Sequence, residues 1–182
     1  MEMVKKLWSW VSSIAIAFIL VVFLGVFVFQ STKVLGISMD PTLHNSQKVY
    51  VSKLSHTFSS LPDYSDIVII DSRVDQERTF SDELRDTPLI NLFVRGDDKH
   101  VWIKRVIGRP GDVLEFRDHK VYRNGEVLNE PYIKEEMIFT SDKKWVVPED
   151  HIFVMGDNRN NSMDSRVIGF IPLDHVLGKK MW

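Results

Sequence analysis

The sequence contains no cysteine. Disulfides, thiolate nucleophiles, zinc–thiolate centres and iron–sulfur clusters are therefore excluded. The compartment stays open, because a chain without thiols suits any redox environment. Charge of one sign is lacking too: 23 basic and 25 acidic residues leave a net charge of −2 over 182 residues. No global basic field points to nucleic acid. There is no internal repeat and no low-complexity tract. The six histidines show no metal-ligand spacing, and none is expected to pair with an acid four positions away. His44, six positions after Ser38, leaves a Ser–His pair open without support. No cofactor is expected.

What is present begins with one long apolar run. Leu7 to Phe29 reads LWSWVSSIAIAFILVVFLGVFVF, and no charged residue lies between Lys6 and Lys33. About 23 residues at ~1.5 Å each cross the ~30 Å of a bilayer's hydrocarbon. Lys5 and Lys6 precede it, and Trp8 and Trp10 sit where an interfacial aromatic belt belongs. A cleavable signal peptide has a shorter apolar core ending in small residues. Here the run continues through Val26 to Phe29 without an Ala-x-Ala pattern. The expectation is a cytoplasmic tail over 1–6, an uncleaved signal-anchor helix over 7–29, and an extracytoplasmic domain over 30–182. The basic tail stays inside.

After Gln30 the pattern becomes short runs rich in Val, Ile, Phe and Tyr, separated by polar or Gly/Pro punctuation. Strands are predicted at 48–54, 66–71, 100–107, 112–117, 120–124 and 151–157. Asn124-Gly125 between two such runs predicts a two-residue hairpin turn. The fold class is thus mainly β, an antiparallel domain behind one transmembrane helix. Two stretches read as excursions: Ser72–Pro88, rich in charge, and Glu130–Asp142, which could cover an apolar groove.

Three features could carry chemistry. LGISMDPTLHN, Leu35 to Asn45, places Ser38 just beyond the apolar run, as a linker turn or as a nucleophile near a membrane. VWIKRVIGRPGD puts Lys104 in an apolar strand. Alternation sets Trp102, Lys104 and Val106 on one face and Ile103, Arg105 and Ile107 on the other. A lysine so flanked is desolvated, which lowers its pKa and lets its amine act as a base. From the pattern alone, an edge-strand lysine reaching to water or blocking aggregation is the plainer reading. MGDNRNNSMDSR, Met155 to Arg166, follows an apolar strand. Its Gly156 permits a tight backbone path, Ser162 offers a hydroxyl, and Asp164 and Arg166 are close enough to pair. A polar loop with Asx turns is the alternative.

In this order behind an anchor, GISMDPTL, SDIVII, WIKRVIGRPGD and MGDNRNNSMDSR resemble the type I signal peptidases, serine–lysine proteases of exported proteins, in the short form of Gram-positive bacteria. The resemblance implies Ser38 as nucleophile and Lys104 as general base. It implies Ser162 as the group that orients the lysine, and Asp164 with Arg166 as a supporting ion pair. Asp157 and Asn158 belong to the same motif. The Ser38 backbone N–H would serve the oxyanion, and Gly36 replaces a serine that supplies a second donor in some members. Ser65 replaces the family's usual glycine. Val34, Met39, Leu43 and Trp102 would line the pocket for a small residue. The substrate would add as a strand between 34–36 and 102–104. Implied partners are signal peptides of exported preproteins, membrane lipid and the nearby secretion translocon, not nucleic acid. The alternatives are a self-cleaving repressor-type Ser–Lys peptidase, which would carry a DNA-binding helix-turn-helix, and a non-catalytic membrane-tethered domain that binds extended peptides.

Overall fold

The structure, a computed structural model, describes residues 1–54, 60–76, 78, 79, 82 and 100–181. His56 and most of the excursion at 72–88 lie outside the described residues. Helix α1, Glu2–Phe27, is 26 residues long. Its apolar window is long enough to cross a membrane, and none of that window is buried by the rest of the protein. Apolar residues all round, with no polar face, leave such a helix nothing to pack its surface against except lipid or another protein. It begins inside the segment expected as a tail. It ends two residues before Phe29, which was expected to close the span and instead opens strand β1, Phe29–Lys33.

The remainder is mainly antiparallel β. Strands β2 (Lys48–Ser52), β3 (Ile67–Asp71), β4 (Val101–Gly108), β5 (Val113–Arg117) and β6 (Lys120–Arg123) fall where the periodicity predicts them. So does β9 (His151–Met155). β7 (Glu126–Val127) is the second arm of the hairpin predicted at Asn124-Gly125, whereas the pattern does not reveal β8 (Ser141–Val146), β10 (Ile171–Pro172) or β11 (Val176–Lys180). SDKKWV in β8 is too polar to announce itself, since it is a mostly exposed edge.

One sheet has the order β1-β2-β11-β3-β4-β9-β10, the other β7-β6-β5-β8. Neighbouring strands run antiparallel. The hairpin between β6 and β7 turns at Asn124 and Gly125, with φ of 55° and 85°, and Arg123 faces Glu126. Positive φ at both central residues matches the right-handed twist of the strands they join. Ser65 also has positive φ, 67°, two residues before β3. That conformation favours glycine, the residue that the resemblance places there.

Three apolar clusters form the core. One gathers Val34, Met39 and Leu43 with Val49, Ile67 and Ile69. A second packs Val68, Ile70 and Val106 on the opposite side of β3 and β4. A third, around Phe116, Phe153 and Met137, lies under the smaller sheet. Met137 and Phe139 of the second excursion pack into this third cluster, so the excursion covers an apolar surface.

Candidate active site

Ser38 sits in a loop closed by two backbone bonds, Val34 N–H to Gln47 O and Ser46 N–H to Val34 O, both 2.8 Å. Val34, Met39 and Leu43 are buried, whereas Leu35 and Ile37 are exposed. The buried three hold the loop to the sheet, and the residues between them are presented outward. Gly36 makes this path possible at φ +87°. Its N–H is taken by Asn45 Oδ1 at 3.0 Å. Ser38 is half-buried.

Lys104 reaches the same point from β4. It is 4% exposed, stands opposite Val68 in the sheet, and has its Nζ 5.5 Å from the Trp102 ring centroid. Nζ lies 2.9 Å from Ser38 Oγ and 3.2 Å from the carbonyl of Ile103. Burial lowers its pKa from 10.5 to about 8, with Arg166 acting the same way and Asp164 and Asp157 opposing. The amine therefore loses its proton far more readily than an ordinary lysine, and it does so beside a hydroxyl.

The loop after β9 forms the back wall. A β-carbon on Gly156 would lie 2.3 Å from Ser162 Oγ and 2.5 Å from the Ser38 carbonyl oxygen, so only glycine lets the two segments touch. The Gly156 N–H donates to Asp164 Oδ2 at 3.0 Å. Asp164 pairs with Arg166 through Nε and Nη2, both 2.8 Å, and caps the short helix α2, Ser165–Ile168. Arg166 also donates to the Arg159 carbonyl at 2.7 Å. Ser162 Oγ is buried and makes no hydrogen bond among the described residues. The bond from Ser162 to Lys104 that the resemblance implies is thus not formed in this arrangement, although the hydroxyl stands against Gly156 next to the pair.

Several residues with larger roles here carry little local signal in the sequence. Asn158 donates from its backbone to the Ser38 carbonyl at 3.0 Å and from Nδ2 to the Ile37 carbonyl at 3.1 Å. Arg105 makes a bidentate, buried pair with Asp157, 2.8 and 2.6 Å. Arg159, 2% exposed, makes another with Glu130, 2.7 and 2.6 Å. The charges of RVIGRPGD and GDNRNN were the available signal, but pairing across 52 and 29 positions has no local pattern. His44 Nδ1 lies 2.9 Å from Asp40 Oδ1, four positions away. This corrects the expectation that no histidine has such a partner, and it turns His44 toward Asp40.

The four expected pocket residues do not act as one wall. Val34, Met39 and Leu43 share one buried cluster, while Trp102 packs against the cluster on the other face of the sheet. Strand alternation is the reason, since Trp102 projects opposite to Ile103, which joins the first cluster. Trp102 instead borders the site through the Lys104 ammonium. Among the described residues, no group of three or more His, Cys, Asp or Glu side chains could hold a metal ion.

Comparison with known proteins agrees with the motifs. The family model described as signal peptidase, peptidase S26, matches residues 7–182. Signal peptidase I of Bacillus licheniformis is 37% identical over 96% of this chain and 86% of its own length. Signal peptidase IB of Staphylococcus aureus strain Mu50 is 29% identical, covering 97% and 88%. A crystal structure of a signal peptidase I from Enterococcus faecalis V583 is 29% identical over 66% of this chain and 97% of that one, with a TM-score of 0.46. The match runs from the apolar helix to the last strand, and the chain belongs to the signal peptidase family, peptidase S26.

Proposed function

We propose that the chain is a membrane-anchored serine endopeptidase that removes signal peptides from exported preproteins by a Ser38–Lys104 dyad. The observation that carries this reading is the 2.9 Å approach of Lys104 Nζ to Ser38 Oγ, by an amine whose burial holds its pKa near 8. Neutral Lys104 takes the hydroxyl proton as Ser38 Oγ attacks the scissile carbonyl. The tetrahedral oxyanion receives the Ser38 backbone N–H. Protonated Lys104 then gives its proton to the departing amine, leaving an acyl ester on Ser38. Neutral again, Lys104 deprotonates the water that hydrolyses the ester. Asp164 with Arg166 holds the loop behind the pair, and Ser162 stands ready to receive or orient the ammonium. Gly36 brings no side-chain donor to the oxyanion, so Ser38 N–H carries more of that work.

In this reading α1 spans the membrane with Lys5 and Lys6 on the cytoplasmic side, and the β domain lies outside. The reacting pair is then held near the surface where the end of a membrane-bound signal peptide emerges, close to the translocon. The test is incubation of the full chain in detergent with a purified preprotein, followed by identification of the new N-terminus. Cleavage after a small residue at the signal-peptide junction is expected, and Ser38→Ala should leave the preprotein intact. An inert parent, or equal cleavage by Ser38→Ala, would overturn the reading.

A further inference from the structure

Five consecutive residues, Glu130-Pro131-Tyr132-Ile133-Lys134, touch every segment that builds the pair. Lys134 Nζ lies 2.7 Å from Asp40 Oδ2, two positions after Ser38. The Lys134 backbone N–H donates to the Asp157 carbonyl at 3.2 Å, in the loop that backs Ser38. The Tyr132 ring lies under the Arg105 guanidinium, 3.9 Å from its centroid, and Arg105 is the neighbour of Lys104 on β4. Tyr132 Oη donates to Glu130 Oε1 at 2.9 Å. Glu130 in turn holds Arg159 in its bidentate pair.

We propose that the segment Glu130–Lys134 is a positioning strap, joining the Ser38 turn through Lys134–Asp40, the Lys104 strand through Tyr132–Arg105, and the loop behind them through Glu130–Arg159. The proposal rests on the peptidase reading above and adds residues that touch neither substrate nor reacting atoms. Its physical basis is that Ser38 and Lys104 come from segments 66 positions apart, so nothing local fixes their separation. The strap contacts both segments from one short piece of chain. The chain that follows the strap is held as well, because Asn160 Oδ1 accepts from the Ile138 N–H at 2.8 Å and Asn160 Nδ2 donates to the Glu136 carbonyl at 2.9 Å. Asp40 and Lys134 are both partly exposed. An ion pair of that kind adds little to folding stability, so its removal separates positioning from folding.

The experiment measures kcat, KM and melting temperature of the full chain in detergent with a purified preprotein. Lys134→Met and Tyr132→Leu are compared with the conservative Lys134→Arg and Tyr132→Phe. If the strap positions the pair, Lys134→Met and Tyr132→Leu lower kcat about tenfold, because small misplacements of reacting groups are costly. KM then stays within about twofold of the parent, since ground-state binding is untouched. The melting temperature of Lys134→Met is unchanged, and Arg and Phe restore parental kcat. Parental kcat in Lys134→Met and Tyr132→Leu overturns the strap while leaving the peptidase reading intact. A change confined to KM, or a loss of kcat matched by a loss of folded protein, also overturns it. A parent that does not cleave overturns the peptidase reading and the strap together.

Discussion

Gly156 lies directly against Ser38: a β-carbon there would stand 2.5 Å from the Ser38 carbonyl oxygen and 2.3 Å from Ser162 Oγ. The loop after β9 therefore seats against the Ser38 turn at backbone contact. Gly156→Ala must push the two apart. Forced overpacking of this kind costs about 1–3 kcal/mol, and the displaced atoms belong to the turn that presents Ser38. Denaturant unfolding should show a loss in that range, and preprotein processing should fall by more than the folded fraction does.

Asn158 reaches the same turn from its side chain. Its Nδ2 donates to the Ile37 carbonyl, which also accepts from the Asp40 N–H at 3.2 Å. Asn158→Ala removes one of two donors and leaves the backbone bond to Ser38 in place. Asn158→Asp removes it as well, because a carboxylate cannot donate. Asn158→Ala should fold and lose kcat by about tenfold through looser positioning of Ser38, and Asn158→Asp should lose stability as well, because it buries a carboxylate against the Ile37 carbonyl. Equal kcat in the parent and in Asn158→Asp would show that the side-chain bond is not needed.

Lys104 sets the pH dependence. Its pKa near 8 means that the neutral, proton-accepting amine is the minority at pH 7 and the majority above 8. The rate constant for processing should rise with pH through a midpoint near 8 before any loss at high pH from other groups. A profile already flat at about pH 6, well below the lysine's range, would place the base elsewhere.

The same shift has a cost in stability. Below pH 8 Lys104 is charged in both folded and unfolded states, and only the folded state bears the burial. Above 10.5 it is neutral in both, so stability rises with pH between 8 and 10.5. At ~1.4 kcal/mol per pKa unit the penalty at neutral pH is about 3 kcal/mol. Lys104→Met, of similar volume, loses the penalty and the bond to Ser38, worth ~1 kcal/mol. It should be inactive yet more stable than the parent at pH 7, by about 2 kcal/mol in denaturant unfolding. Lower stability of Lys104→Met would mean that the lysine is not held at a desolvation cost.

Much of this arrangement is legible in the residues. Short runs rich in Val, Ile, Phe and Tyr place β2 to β6 and β9, and Asn124-Gly125 places the hairpin. The apolar helix announces itself by length, and the motifs around Ser38, Lys104 and Asp164 identify the family. What escaped the sequence depends on contacts between distant segments. Arg105 with Asp157 and Arg159 with Glu130 are opposite charges among many, and only the fold selects the partners. SDKKWV forms an edge strand because β5 offers it a partner, despite its polar composition. The resemblance groups Trp102 with Val34, Met39 and Leu43, and strand alternation sends it to the other face of the sheet. Asp40 and His44 are the opposite case, a spacing of four that was there to be read.

The central claim is that Lys104 activates Ser38. The most direct measurement is the rate at which a peptide boronic acid forms its adduct with the full chain, across pH, with the modified residue located by mass spectrometry. The account predicts a single adduct on Ser38, a rate rising through pH 8, and a fall of about a hundredfold or more in Lys104→Ala, in keeping with the ~10²–10⁴-fold effect of a positioned base. An adduct on another residue, or an equal rate at Ser38 in Lys104→Ala, would contradict it.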